Sequence, residues 1–228
     1  MSFFRAVGGN KFKIVNGGAA KVRVAEPKVL YFNGAINSNW NTLGNWWFDS
    51  SYSIPSTHTP RSIDSVILNS SVQQNTGGNS VVVDLTLNSG TLGVATTVTN
   101  VATFNNNSSL YYTSIIGNVV FNNSSSNNHG TIYGDTIFKN TSMNKYGSSI
   151  IGNTIFYNDS LNNASITGSI TLYGTSVNIG FVSGDGIFYN SSSNWGGNIA
   201  GGATFNDDSS NQGSVSGIII CNSTLSCL

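Results

Sequence analysis

Charged residues are scarce in this chain of 228 residues, at 8% against about 25% in an ordinary soluble domain. Glu, Lys and Gln, which favour helices, are few, whereas β-branched and aromatic residues are frequent, so the composition favours an all-β fold. Low charge is also found in polar disordered tracts. A regular apolar repeat argues against disorder here, because a disordered tract does not need one.

Targeting and membrane segments are not recognisable in the sequence. Gly, Asn and Lys follow Arg5, where a signal peptide has an apolar core and a small-residue cleavage site. No run approaches the roughly 18 apolar residues of a membrane-spanning helix. We therefore expect cytoplasmic synthesis without a membrane span.

Catalytic and metal-binding patterns are also missing. The two histidines, His58 and His129, have no second histidine nearby, and we find no Ser-His-Asp set, phosphate loop or calcium repeat. Asp135 and Asp185 share one slot of the repeat described below, but they are three coils apart, or about 14 Å. A glycosidase pair needs about 5 to 10 Å. The sequence therefore predicts a protein that is not an enzyme and has no cofactor or metal.

A single motif returns about every 17 residues and dominates the chain. It reads Ile-x-Gly-x-x-x-Phe-x-Asn-x-Ser-x-Asn and is clearest over residues 132–144. A fixed short period is typical of a solenoid. We predict an all-β, single-chain β-solenoid (β-helix) of about ten coils over residues 64–228, about 45 Å long.

Alternation along each strand places the Ile, Gly and Phe slots on the inner side of the coil. Stacked Asn side chains at the last slot can bond both their neighbours and the backbone of a turn, so we interpret the Phe and Asn rows as structural ladders. These ladder residues are Phe104, Phe121, Phe138, Phe156, Phe188 and Phe205, with Asn127, Asn144, Asn162, Asn178, Asn194 and Asn211.

A second set of positions is predicted to face outward and to form an apolar face beside a tyrosine column. Monomers seldom expose a long apolar stripe without a use, so we predict an interface between identical chains there. The alternative is that the inside and outside assignments are reversed at these positions. The predicted interface residues are Val120, Ile137, Ile155 and Ile187, with Tyr157, Tyr173 and Tyr189.

Residues 1–36 differ from the repeats and are predicted to form a small separate β element. Two alternating segments, 11–15 and 21–24, flank a turn signal at 16–18, and 29–32 is either a third strand or the lead into the next part. Six of the nine cations precede residue 29, so we predict a basic docking element, the alternative being a solvated hairpin. These cations are Arg5, Lys11, Lys13, Lys21, Arg23 and Lys28.

Residues 37–63 hold three of the four tryptophans, Trp40, Trp46 and Trp47, followed by Pro60. This stretch resembles the Trp-rich N-terminal caps of many β-solenoid proteins, which cover an otherwise open core and unpaired strand edges. The alternative is a tryptophan platform for sugars. We predict a cap over 37–63 that leads into the solenoid.

Cys221 and Cys227 fall in the Phe and Asn slots of the last coil. They could form a disulfide that seals this coil. Because no secretion signal is visible, we expect thiols packed as small apolar residues.

Residues 202–211 and 184–192 are similar to the Gly-Asn-Ala-Thr-Phe-Asn-x-Ser-Ser-x-Asn coils of β-solenoid proteins of tailed phages, large viruses and some bacteria. The resemblance covers about residues 37–228. It implies a non-enzymatic virion structural protein, such as a tail fibre, spike or capsid decoration protein, located in the virion. If the chain is a phage fibre, it also implies trimers. The partners would be identical chains and, through the N-terminal segment, other virion proteins, with host-surface glycans as a further candidate and no nucleic acid.

Two other functions remain open at this point. A bacterial surface or filament-forming protein would place the same rod on a cell surface. A carbohydrate-active or ice-binding solenoid needs clustered carboxylates, a metal or a regular outward threonine row, and the corresponding outward row here is mostly Ile and Val.

Overall fold

A computed structural model describes residues 25–73 and 80–223. Within those ranges the chain is a parallel β-solenoid with one 3₁₀ turn, Leu43–Asn45, and no α-helix. It makes about nine turns of about 17 residues, which confirms the predicted fold class with one turn fewer than expected. Each coil pairs in parallel and in register with the next, as Ile132 does with Ile150.

The coils build a 19-stranded sheet and an 8-stranded sheet. The larger sheet begins with β1 (Val29–Phe32), β2 (Trp46–Trp47), β3 (Ser65–Leu68), β4 (Ser80–Val82), β5 (Leu85–Leu87), β7 (Thr96–Phe104) and β9 (Ser114–Phe121). It continues with β11 (Thr131–Tyr133), β12 (Thr136–Phe138), β14 (Ser149–Ile151), β15 (Thr154–Phe156), β17 (Ser165–Thr167) and β18 (Ile170–Leu172). Its last members are β20 (Phe181–Val182), β21 (Gly186–Phe188), β23 (Asn198–Ile199), β24 (Ala203–Asp207), β26 (Ser214–Val215) and β27 (Ile219–Ser223).

The smaller sheet contains one short strand from each of eight coils. Its strands are β6 (Thr91–Leu92), β8 (Ser109–Tyr111), β10 (Ser126–Asn128), β13 (Met143–Asn144), β16 (Leu161–Asn162), β19 (Val177–Asn178), β22 (Ser193–Asn194) and β25 (Ser210–Asn211).

Phenylalanine rings form a column inside the coils, because the period puts one ring directly above the next. Phe121 and Phe138 stack with their centroids 4.8 Å apart, and Phe138 and Phe156 with theirs 4.7 Å apart. Leu172 takes the slot in one coil, after which Phe188 and Phe205 resume the stack at 4.7 Å. All these side chains are fully buried, so each coil completes the core of its neighbours.

The glycine slot marks a close approach between successive coils. A Cβ on Gly152 would lie 2.4 Å from the carbonyl oxygen of Gly134 and 2.6 Å from its carbonyl carbon. Glycine at this slot is therefore required by space, since no side chain fits against the backbone of the preceding coil.

The tryptophan segment closes the N-terminal end of the core. Trp40 and Trp46 are buried, their rings meet edge to face at 5.0 Å, and Trp46 Nε1 donates to the carbonyl of Trp40 at 2.7 Å. Trp46 also packs on Phe32, whose strand β1 pairs in parallel with β3. Burial of the indoles contradicts the sugar-platform alternative for Trp40 and Trp46, because a ligand cannot reach a buried ring.

An ion pair between the half-buried Arg61 and the buried Asp64 links the cap to the first coil. Asp64 is completely buried, and both of its oxygens accept hydrogen bonds from the Arg61 guanidinium, each at 2.9 Å. The backbone N–H groups of Lys28 and Arg61 donate to the same carboxylate at 2.9 and 3.0 Å. Burial raises the pKa of Asp64, but these hydrogen bonds lower it by more, so the net shift is downward.

We expect the substitution Asp64→Asn to destabilise the protein by about 2 kcal/mol at pH 7. A carboxylate with a depressed pKa stabilises the fold above its unfolded value of about 4, and this contribution is lost as pH falls through the folded pKa. Urea unfolding of Asp64→Asn and wild type should therefore differ at pH 7 and converge in acid. Glu26→Gln, which alters an exposed ion pair with Lys28, is the control. A difference that does not depend on pH would contradict the assignment.

Candidate functional site

The buried asparagines form one continuous hydrogen-bonded ladder. In each coil the Nδ2 group donates to Oδ1 of the asparagine in the next coil, at 3.0 Å from Asn127 to Asn144 and 2.8 Å from Asn144 to Asn162. Asn162, Asn178, Asn194 and Asn211 continue the ladder at 2.8 to 2.9 Å. The amides therefore all point in one direction along the solenoid.

The ladder ends abruptly on its N-terminal side. The preceding coil has Leu110 in this slot, paired in register with Asn127. Asn127 Oδ1 is buried and has no hydrogen-bond partner among the described residues. An unpaired buried acceptor costs free energy, so the change from leucine to asparagine marks the weakest point of the ladder.

Two further ladders run along the exposed corner that follows the Phe slot. Asn69, Asn88, Asn105 and Asn122 are linked through their side-chain amides at 2.9 to 3.1 Å. The next position in the corner has left-handed backbone, which Asn tolerates better than most residues. Its side chains are also linked from coil to coil, and its members are Asn106, Asn123, Asn140 and Asn158.

The acidic residues considered as catalytic candidates belong to the scaffold. Asp135 Oδ1 accepts the backbone N–H of Asn153 at 2.8 Å, and Asp185 Oδ1 accepts that of Gly202 at 2.7 Å. Asn118 makes the equivalent bond to the backbone N–H of Asp135 at 3.0 Å. Side-chain oxygens in this row therefore accept hydrogen bonds from backbone N–H groups of the next coil, a role that the sequence pattern did not reveal.

The predicted interface residues lie on the outer side of the larger sheet. Val120, Ile137 and Ile155 are half-buried and stand in register, and Ile187 is 37% exposed. The residues that flank them in each strand point into the core, as Thr136 and Phe138 do. We call the outward row Val120, Ile137, Ile155, Thr171 and Ile187 the isoleucine row.

The tyrosine column lies beside the isoleucine row. The rings of Tyr157 and Tyr173 stack with centroids 5.0 Å apart, as do those of Tyr173 and Tyr189. Desolvation raises the pKa of Tyr173, and so do its two tyrosine neighbours. The three rings are half-buried, so the column keeps part of its surface available for contacts.

A second outward apolar row, not predicted from the sequence, is more exposed than the isoleucine row. Ile116, Tyr133 and Ile151 are 45%, 48% and 44% exposed and stand in register on adjacent coils. Val81 and Thr97 extend the row toward the cap. The row can be recognised in the sequence from the residue between the Ile and Gly slots, because alternation along the strand places that residue on the outer side. We call these five residues the second row.

The predicted basic docking element is mostly outside the described residues. Arg5, Lys11, Lys13, Lys21 and Arg23 all lie there, as do the two predicted strands 11–15 and 21–24. Lys28 is exposed, and its Nζ lies 3.3 Å from Glu26 Oε2. Of the alternatives for 29–32, the structure shows a strand that pairs with the first coil.

The expectation of free thiols is wrong for Cys221, which is disulfide-bonded. It pairs in register with Phe205 and so occupies the Phe slot of its coil, as the repeat predicted. Cys227, the other cysteine of the chain, lies outside the described residues.

Comparisons with protein-family models, with curated proteins and with solved structures found no match. Within residues 25–73 and 80–223, no three His, Cys, Asp or Glu side chains are grouped so that they could hold a metal ion. No helix in this part of the chain is long and apolar enough to cross a membrane. The outward rows, which are partly exposed and stand in register from coil to coil, are the candidate functional surface.

Proposed function

We propose that this chain is a non-enzymatic structural protein of a virion, a rigid β-solenoid rod in a tail fibre, spike or capsid decoration. The rod would associate with identical chains through the isoleucine row, and the basic N-terminal segment would dock it onto other virion proteins. The observation that carries the proposal is the outward β-branched row, which repeats coil after coil beside the tyrosine column.

The polar groups of the repeat support a structural role. Asp135 and Asp185 bind backbone N–H groups of neighbouring coils, and the side chain of Asp207 accepts the backbone N–H of Asn190 at 2.9 Å. These carboxylates link neighbouring coils by hydrogen bonds, as expected for a rigid rod. Three copies around a common axis would give the closed symmetry usual in oligomers.

The test of the interface is the native mass of the full chain and of the double substitution Ile155→Lys with Ile187→Lys. We expect an oligomer, with trimers favoured, that the double substitution converts to monomers, because two charges per chain would have to be desolvated in the interface. The thermal midpoint of the monomer should stay close to that of the wild type, since both side chains face outward.

The matched control is Ser191→Lys with Asn198→Lys, which adds the same charges at exposed polar positions away from the isoleucine row. A monomeric wild type would contradict the interface. Unfolding of the Ile155→Lys, Ile187→Lys variant would instead place these residues in the core.

The alternative is a bacterial surface or filament-forming protein, which rests on the same outward rows. The two functions differ in what the chain binds. Stable attachment to a large particle that is lost on deletion of residues 1–24 favours the virion protein, and this deletion keeps β1 and the cap. Open-ended polymerisation of the purified chain favours the filament.

A further inference from the structure

A second corner of the solenoid places aromatic rings where the backbone favours glycine. Tyr112 and His129 have left-handed backbone, with φ of 48° and 60°. They follow the smaller-sheet strands β8 and β10 in two adjacent coils, and the next coil uses Gly147 there, with φ of 82°. The bulky Tyr112 adopts this conformation at a cost, whereas histidine adopts it more readily, and such strain is often found at functional sites.

The rings at this corner are held in a defined arrangement. Tyr112 and His129 stack at 4.6 Å and 15°, and Tyr111 meets Tyr112 edge to face at 4.5 Å and 86°. The backbone N–H of His129 donates to Ser148 Oγ at 2.9 Å, and its Nδ1 lies 2.8 Å from Asn128 Oδ1. Because an amide oxygen only accepts, we assign the proton to Nδ1, which leaves Nε2 as an acceptor.

The arrangement faces solvent. Tyr112 is 64% exposed, and Tyr146, in the turn of the coil that follows His129, is 78% exposed. The turn itself does not need rings, since Gly147 and Gly196 occupy left-handed positions after later strands of the smaller sheet. The turn conformation therefore does not account for aromatic rings at Tyr112 and His129, whereas contact of these exposed rings with a ligand does.

We propose that this corner binds a neutral oligosaccharide. The C–H faces of a sugar ring pack on aromatic surfaces, while its hydroxyls pair with tyrosine hydroxyls, an imidazole nitrogen and the amide of Asn128. Lys145 contributes one cation to this neighbourhood, too few for a nucleic-acid backbone, which is bound by several. The site rests on the corner alone and does not depend on the proposed virion role. We call it the aromatic corner, comprising Tyr111, Tyr112, Asn128, His129 and Tyr146.

The test is titration of the full chain, followed by NMR and tyrosine fluorescence, with maltohexaose, cellohexaose and N-acetylchitohexaose. At least one should bind saturably. The double substitution Tyr112→Gly with His129→Gly should weaken that binding at least tenfold. Its thermal midpoint should change little, because relief of the left-handed backbone offsets the loss of the exposed ring contacts.

Tyr133→Ala, which removes an equally exposed ring from the second row, should leave the binding unchanged. Tyr146→Ala is a second test of the site, which serves if the double variant does not fold, and it should also weaken the binding. Absence of saturable binding to all three oligosaccharides would overturn the proposal, as would unchanged affinity in Tyr146→Ala and the double variant. Binding only to dextran sulfate, lost in Lys145→Ala, would also overturn it, because the site would then be electrostatic.

Discussion

The substitution Gly152→Ala is expected to destabilise the protein by about 3 kcal/mol or more and to lower the thermal midpoint by about 10 °C. The added Cβ would lie 2.4 Å from the carbonyl oxygen of Gly134, 2.6 Å from its carbon and 3.0 Å from the nitrogen of Asp135. All three are backbone atoms of the short connection between β11 and β12, which are paired on both sides, so relief would require two coils to separate. Urea unfolding followed by circular dichroism measures the loss.

The control is Gly196→Ala, because a Cβ at Gly196 has no atom within 4 Å. Gly196 has a φ of 76°, so alanine there carries only the backbone strain of about 1 kcal/mol. A loss at Gly152 no larger than at Gly196 would mean that the coils are farther apart than the structure has them.

Replacing Asn162 by leucine is expected to cost about 3 kcal/mol, whereas the same change at Asn127 should cost about 1 kcal/mol. Asn162 lies within the ladder, so its loss leaves Asn144 Nδ2 buried without its acceptor and takes the side-chain donor from Asn178 Oδ1. Asn162 also bonds the backbone of Ala164 at 3.2 Å, and that turn bond is lost as well.

Asn127 differs because its Oδ1 is already unpaired in the wild type. Leucine at this position removes one ladder bond and transfers the unpaired acceptor to Asn144, so the number of such atoms stays the same. Asparagine and leucine have the same number of side-chain heavy atoms and both branch at Cγ. Leucine is bulkier, but this difference is common to the two variants, and comparison of the two losses therefore separates hydrogen bonding from packing. Equal losses at the two positions would show that the ladder contributes through shape alone.

The results for Gly152 and Asn162 together test whether contacts between coils stabilise the proposed rod. A solenoid whose coils are held by close backbone contact and by a directional amide ladder resists local opening, because each coil lacks a core of its own. If both losses are as large as expected, the stability of the rod lies in contacts between coils. Surfaces such as the isoleucine row then stay free for partners.

Much of the fold follows from the repeat alone. A period of about 17 residues, with glycine, phenylalanine and asparagine in fixed slots, predicts stacked coils, and alternation predicts which slots face inward. Phe138 could therefore be placed inside from the sequence, and Asn144 in a stacked ladder. The second row could also have been derived from Ile116 and Ile151, by the same alternation, from their position directly after the Ile slot.

The roles of single polar residues could not be derived in this way. The spacing of Asp135 and Asp185 argued against a catalytic pair, but it did not reveal their structural role, because a sequence does not say which backbone N–H lies opposite a side chain. The unpaired oxygen of Asn127 is also invisible in the sequence, since it depends on Leu110 occupying the same slot one coil earlier.

The sequence by itself determined the fold class, the inward Phe slot and the stacking of the Asn row, because all three depend on periods of about 17 and of 2 residues. It also predicted the outward isoleucine row, with the reversed assignment as the alternative. Only the tertiary structure decided that Trp40 and Trp46 plug the end of the core, and that Tyr112 and His129 stack at an exposed corner. Those two arrangements depend on side-chain packing and on backbone conformation at turns. A repeat pattern specifies neither, since the cap and the corner are the places where the repeat is broken.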